Sequence, residues 1–205
     1  MSDGDDLPAP TDRDVIDRRP AEGPTYPVPA DPAYEILDSV VEYETPWYTG
    51  GYDLVEQPDG SEKRYYWAEL APAVVVVAVA DGEVVLVEQY RPAIRETHRE
   101  LPAGIVEPGE TYVEAGLREL REETGYDADG GRLLSSFWAA TGVLRHHRGF
   151  VWADGLTETD LERDDNEFLA VTSVPVEEAI ETARRPPAND ATIEGLLLAH
   201  EDGLL

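Results

Sequence analysis

Between Ala73 and Ala80 the chain reads AVVVVAVA, an apolar run with no polar interruption. Asp81 and Gly82 end it, and EVVLVEQYR (residues 83–91) follows at once. Two apolar runs split by Asp-Gly predict a buried β-hairpin. Upstream, residues 34–70 are rich in aromatic and β-branched side chains, and Pro58-Asp59-Gly60 marks a turn between two candidate strands. That pattern predicts a small antiparallel sheet. Residues 1–33 mix Pro, Asp, Gly and Arg without periodicity and read as a mostly irregular acidic arm. After residue 91 comes a loop, then RELPAGIVEP with Pro and Gly inside it. Residues 111–124 read as a helix. RLLSSFWAA, HRGFVWADGL and NEFLAVTSVP are strand-like. VEEAIETARR reads as a second helix, stopped by Pro186-Pro187, and NDATIEGLLLAHEDG as a third, with Asn189 or Asp190 as its N-cap. Many strands around few helices give an α+β class or a mixed αβα sandwich. The expected organisation is an arm (1–33), an N-terminal β segment (34–70) and a main domain (71–205).

On a helix at about 100° per residue, Val113, Leu117, Leu120 and Thr124 share one stripe, which suits a core face. Glu119, Glu122 and Glu123 form another. Their i, i+3, i+4 spacing makes them neighbours, and like charges so placed repel by tenths of a kcal/mol each. They are tolerated in full solvent or around a cation, and hard oxygen donors select Mg²⁺, Mn²⁺ or Ca²⁺. A loop with Pro102, Gly104, Pro108 and Gly109 precedes the helix, which lets backbone groups approach a ligand closely.

Composition narrows the picture. Of 205 residues, 44 are Asp or Glu and 16 are Lys or Arg, for a formal net charge of −28. Lys63 is the only lysine. Such a surface argues against a nucleic-acid partner. It stays hydrated where salt screens charge strongly, so we expect a salt-loving source. No cysteine is present, which excludes disulfides and thiolate-bound metals. There is no apolar run long enough for a transmembrane helix, and MSDGDDLPAP has no apolar segment of a secretory signal. The expectation is a cytoplasmic protein without a membrane partner.

The stretch from Gly104 to Tyr126 resembles the Nudix box, G-x5-E-x7-R-E-U-x-E-E-x-G-U, with U apolar. Gly104, Glu110, Arg118, Glu119, Leu120, Glu122, Glu123 and Gly125 fill its positions, and Tyr126 is an unusual final apolar residue. EQYRPAIRETHRELPAGIVEPGE and DATIEGLLLA further resemble the ADP-ribose pyrophosphatase branch of that family.

The resemblance implies a Nudix-type αβα sandwich with a mixed sheet, beside the small N-terminal sheet. It implies hydrolysis of a nucleoside diphosphate linked to another group, with ADP-ribose the leading substrate and Mg²⁺ or Mn²⁺ the cofactor. Another nucleotide sugar or dinucleotide, or a non-catalytic sensor on the same fold, is the alternative. Glu119, Glu122, Glu123 and the Ala103 carbonyl resemble the metal ligands. Gly104, Glu110, Arg118 and Gly125 resemble the structural positions of the box. Arg91 and Glu100 resemble substrate-side residues. That branch often has a Pro-Gly pair after the box, whereas AATGVLRHHR stands here without proline. Arg145, among Arg145, His146, His147 and Arg148, is the candidate substrate contact there. An acid on a later loop resembles the catalytic base; Asp164, Asp165 and Glu167 are candidates, and Glu167, at the loop–strand junction, is the choice. The branch also implies a homodimer joined through N-terminal strands, where Trp47, Tyr48, Tyr52, Tyr65, Tyr66 and Trp67 would find burial.

Overall fold

The computed structural model describes residues 34–159 and 168–205. The 1–33 arm and the loop candidates Asp164, Asp165 and Glu167 lie outside the described residues. Two compact units emerge. One consists of 34–71 with Trp138–His147; the other consists of Pro72–Phe137 and Arg148–Leu205.

The smaller unit is built on β1 (Glu35–Glu44), β2 (Tyr48–Glu56) and β3 (Glu62–Leu70), joined as an antiparallel meander. Asp59 closes the second turn: its carboxylate accepts from the Ser61 N–H at 3.0 Å. The expected sheet is therefore present, with one addition. A short strand from far along the chain pairs parallel to β3, with Ala68 opposite Leu144 and Glu69 opposite Arg145. No short-range signal announces that pairing.

The larger unit begins with β4 (Ala73–Ala80) and β5 (Glu83–Arg91). Asp81 and Gly82 both take positive φ, 50° and 83°, the backbone of a tight hairpin turn. The hairpin lasts only two residue pairs, Val79–Val84 and Ala80–Glu83. Beyond them the strands part. β5 pairs with β6 (Glu96–Glu100), and β4 with β7 (Ala103–Ile105), so the loop-like RELPAGIVEP contributes to two strands. Helix α1 spans Tyr112–Thr124. β8 (Tyr126–Trp138) follows, so the strand expected from Arg132 onward begins earlier, at Tyr126. The short strand on β3 is β9 (Leu144–Arg145). β10 (His147–Glu158) runs parallel to β4. β11 (Leu169–Pro175) runs antiparallel to β5. Helices α2 (Val176–Ala183) and α3 (Asp190–Glu201) close the chain. Asn189 caps α3, accepting from the Thr192 N–H at 2.9 Å.

The resulting mixed sheet runs β11-β5-β4-β10-β8, with β6 beside β5 and β7 beside β4. Both its faces are covered, which explains the unbroken apolar run of β4. Val75 and Val77 point to a core shared with Leu101, Phe150, Ala179 and Leu196, under α2 and α3. Val74 and Val76 point the other way, to cores holding Ala115 and Leu120 of α1. This is the expected αβα sandwich.

The core face of α1 includes the expected stripe, with Leu120 and Thr124 buried and Val113 and Leu117 packed half-buried at its edge, but it extends further round the helix. Tyr112, Ala115, Gly116, Glu119, Leu120, Glu123 and Thr124 are buried, while Val113 and Leu117 are half-buried. A Cβ at position 116 would lie 3.3 Å from Val74, Val76 and Val151, so the helix sits closely on the sheet along the Gly116 line. That contact extends the buried face to Glu119 and Glu123.

Candidate active site

Two local signals fix α1. Thr111 accepts from the Glu114 N–H at 3.2 Å, and Glu114 accepts from the Thr111 N–H at 2.9 Å, a reciprocal capping box. The Thr111 N–H and the Thr111 hydroxyl, both donating to it, hold the exposed Glu114 carboxyl below its ordinary range. At the far end Gly125 takes φ 73° and donates to the Arg121 carbonyl at 2.9 Å.

Arg118 is the hub of the preceding loop. Its Nε donates to Glu110 Oε1 at 2.8 Å, and Nη2 donates to Glu110 Oε2 at 3.0 Å and to the Ile105 carbonyl at 2.9 Å. Its Nη1 donates to Glu119 at 2.8 Å and to Glu122 at 3.0 Å. Glu110 also accepts from the Glu107 N–H at 2.9 Å. One guanidinium thus ties the loop to the helix. Hydrogen bonding from Arg118 holds the Glu110 carboxyl low, and hydrogen bonding to Glu110 raises Arg118 further above its ordinary value.

Gly104 faces Glu119 directly: a Cβ there would lie 2.0 Å from the Glu119 carboxylate. Glu119 and Glu123 are only 7% and 4% exposed, so they are not a solvated acidic face. Glu123 accepts from the Ala103 N–H at 3.0 Å, which joins the helix to β7. Glu122, on the outer side, is more open.

On the β5–β6 ribbon, Arg91 and Glu100 meet. Arg91 Nε donates to the two Glu100 oxygens at 3.2 and 3.0 Å, and its Nη2 also donates to Oε2. Gln89 donates to Glu100 at 3.3 Å. Strand alternation puts Val87, Gln89, Glu100 and Val85 on one face, and Val85 packs with Leu120 of α1. Arg91 and Glu100 therefore lie on the α1 side of the sheet. Gln89 was not among the sequence candidates; its signal was the period-two spacing to Arg91.

Arg145 belongs to the smaller unit. Its Nη2 donates to Asp53 at 2.5 Å, its guanidinium lies 3.9 Å from the Trp67 ring centroid, and Glu69 stands 3.8 Å away. Asp53 is fixed in turn by Trp67 Nε1 at 3.0 Å and Ser39 Oγ at 2.7 Å. The expected cluster of positive charge around Arg145 is thus largely neutralised. Arg148 pairs with Asp190 and Glu194, and burial beside His146 lowers His147 below its ordinary value. Each of these acids lies far away in sequence, so no local pattern reveals the pairing.

The donor set near α1 consists of hard oxygens. Three carboxylates, Glu110, Glu119 and Glu122, surround a single guanidinium, and a fourth, Glu123, accepts from the Ala103 N–H; Glu119 and Glu123 are buried. Buried carboxylates require compensation, and a divalent cation fits that chemistry. Among the described residues no group of three or more acids or histidines stands at ligand spacing; Arg118 and the Ala103 N–H occupy oxygens instead.

A NUDIX domain family model matches residues 69–195. The chain belongs to the Nudix hydrolase family. Several relatives are similar over much of it. An ADP-ribose pyrophosphatase of Bacillus subtilis is 34% identical over 67% of this chain and 76% of its own length. A methanol dehydrogenase activator of Bacillus methanolicus is 33% identical over 63% of this chain and 71% of its own. The ADP compounds hydrolase NudE of Escherichia coli is 28% identical over 63% and 70%. A solved ADP compounds hydrolase superposes with a TM-score of 0.76 at 24% identity, covering 84% of this chain and 97% of that one, which shows the Nudix fold.

Proposed function

We propose that this Nudix hydrolase splits ADP-ribose into AMP and ribose 5-phosphate with the help of Mg²⁺ or Mn²⁺. The observation that carries the reading is the set of buried and half-buried glutamates on α1, seated against Ala103 and Gly104, with Arg91 and Glu100 on the same side of the sheet. The B. subtilis relative's name supports the choice of substrate. Glu119, Glu122, Glu123 and the Ala103 carbonyl would hold the metal. When bound, such an ion neutralises diphosphate charge and lowers the pKa of a water. Arg118 keeps the carboxylates apart and oriented. Arg91, held by Glu100, which also accepts from Gln89, supplies a cation for phosphate, and a forked guanidinium suits that partner. Arg145 acts by holding the Trp138–His147 segment to the β1–β3 sheet. Glu167 is the proposed base; Glu167→Gln should lower kcat with little change in KM, and a silent variant sinks that role.

The deciding experiment incubates the full chain and Mg²⁺ with ADP-ribose, ADP-glucose, GDP-mannose, NADH and diadenosine polyphosphates. AMP released fastest from ADP-ribose supports the reading. Faster turnover of another member favours the broader reading, hydrolysis of other ADP compounds, which the NudE relative's name suggests. No product from any of them points to the non-catalytic alternative.

The reading includes a cytoplasmic homodimer formed through residues 34–70. Trp47, Tyr66 and Ile36 are 74%, 56% and 59% exposed there, and such side chains favour interfaces. No helix among the described residues is long and apolar enough to cross a membrane. Light scattering that gives a monomer of 22.6 kDa would refute the dimer.

A further inference from the structure

We propose a second ligand site in the larger unit, on the opposite side of the sheet from the acidic helix, that takes a small organic anion with a flat apolar body. A cleft of about 420 Å³ opens between the β5–β6 ribbon and helices α2 and α3. That volume falls in the range of small-molecule sites, about 300–1,000 Å³. Strand alternation separates it from the candidate active site. Gln89 and Glu100 face α1, whereas Leu86, Thr97 and Arg99 line the cleft.

The lining states the ligand's chemistry. Leu86, Ala179 and Leu196 give an apolar floor. Arg99 and Arg185 are at its edge with Glu88 as the one carboxylate in the lining, in a chain where acids outnumber cations 44 to 16. With Glu181 counted beside Arg185, the edge of the cleft is close to neutral, in contrast to the strongly acidic protein as a whole. Arg99 pairs with Glu88 at 3.2 Å, and Arg185 with Glu181. Both arginines are more than half exposed, and exposed pairs of this kind contribute little, so either guanidinium is available to a carboxylate, sulfonate or phosphate. The cleft also reaches the machinery of the other face. Thr192 lines it, and the Thr192 hydroxyl accepts from the Leu101 N–H at 3.1 Å. Two residues on, the Ala103 N–H seats Glu123.

The test is calorimetric titration of the full chain with naphthalene-2-sulfonate in EDTA, where metal-bridged binding at α1 is absent. One saturable site per chain is expected. Arg99→Gln should weaken it about tenfold, the loss of one charge-assisted contact. Ala183→Trp, which fills the cleft, should abolish it, and Trp47→Ser on the smaller unit should leave it unchanged. Circular dichroism checks that each variant is folded. No saturable binding, equal affinity in Arg99→Gln and Ala183→Trp, or loss in Trp47→Ser would each overturn the site. None of these outcomes depends on which nucleotide the enzyme hydrolyses.

Discussion

Replacing Arg118 by Met keeps most of the side-chain stem and removes the charge. Three carboxylates, Glu110, Glu119 and Glu122, then lose their shared cation, and the Ile105 carbonyl loses a donor. Breaking a buried ion pair on one side costs about 3–5 kcal/mol. The Arg118 side chain is 25% exposed and Glu122 is open at 41%, so water recovers part of that loss. We expect a cost of about 2–4 kcal/mol, which is roughly 4–16 °C in Tm for a chain of this size. The pH dependence follows from Glu110. Its folded pKa is depressed by Arg118 below the ordinary 4.5. That stabilisation is therefore present above the unfolded pKa and is lost as pH falls through the folded value. The gap between wild type and variant should be full at pH 7 and shrink below about pH 4. Urea denaturation at fixed ionic strength and several pH values measures it. A variant within about 0.5 kcal/mol of wild type at pH 7, or a gap that does not change with acid, would refute the hub.

Three more outcomes are expected. Glu123→Gln should lower kcat by at least about tenfold, through the loss of one charged ligand for the proposed metal ion, while circular dichroism stays unchanged; near-normal turnover at saturating Mg²⁺ would remove Glu123 from the site. Thr192→Val leaves the Leu101 N–H without its acceptor in a buried setting and should cost about 1–3 kcal/mol by urea denaturation; a neutral result would mean that the bond contributes nothing. Molar KCl should raise Tm, because it screens the repulsion of a chain at −28; an equal or lower Tm would contradict the salt-loving origin.

The acidic helix shows how far residue order reaches. Its spacing put Glu119, Glu122 and Glu123 side by side, and the box resemblance identified Arg118 and Glu110 as supporting positions. How far round that helix the cover extends was not legible. Counting apolar residues chose Val113, Leu117, Leu120 and Thr124, of which Leu120 and Thr124 are buried, whereas close packing at Gly116 extended the buried face to Glu119 and Glu123. Arg145 shows a second limit of local reading. Within its own segment it adds to a basic cluster, but its partners Asp53 and Trp67 come from strands formed much earlier in the chain.

The sequence by itself determined what depends on neighbours within a few residues. The Thr111–Glu114 box, the Gly125 stop, the Asp81-Gly82 turn and the angular grouping of the glutamates are of this kind, because backbone torsions and short side-chain bonds act over one or two turns. Only the tertiary structure decided the rest. The register of β5 on β6 brought Arg91 to Glu100, the early parting of β4 from β5 made room for β6 and β7, and docking on the sheet buried Glu119 and Glu123. Those outcomes depend on contacts between segments distant in the chain, where shape and burial across the sheet outweigh local preference.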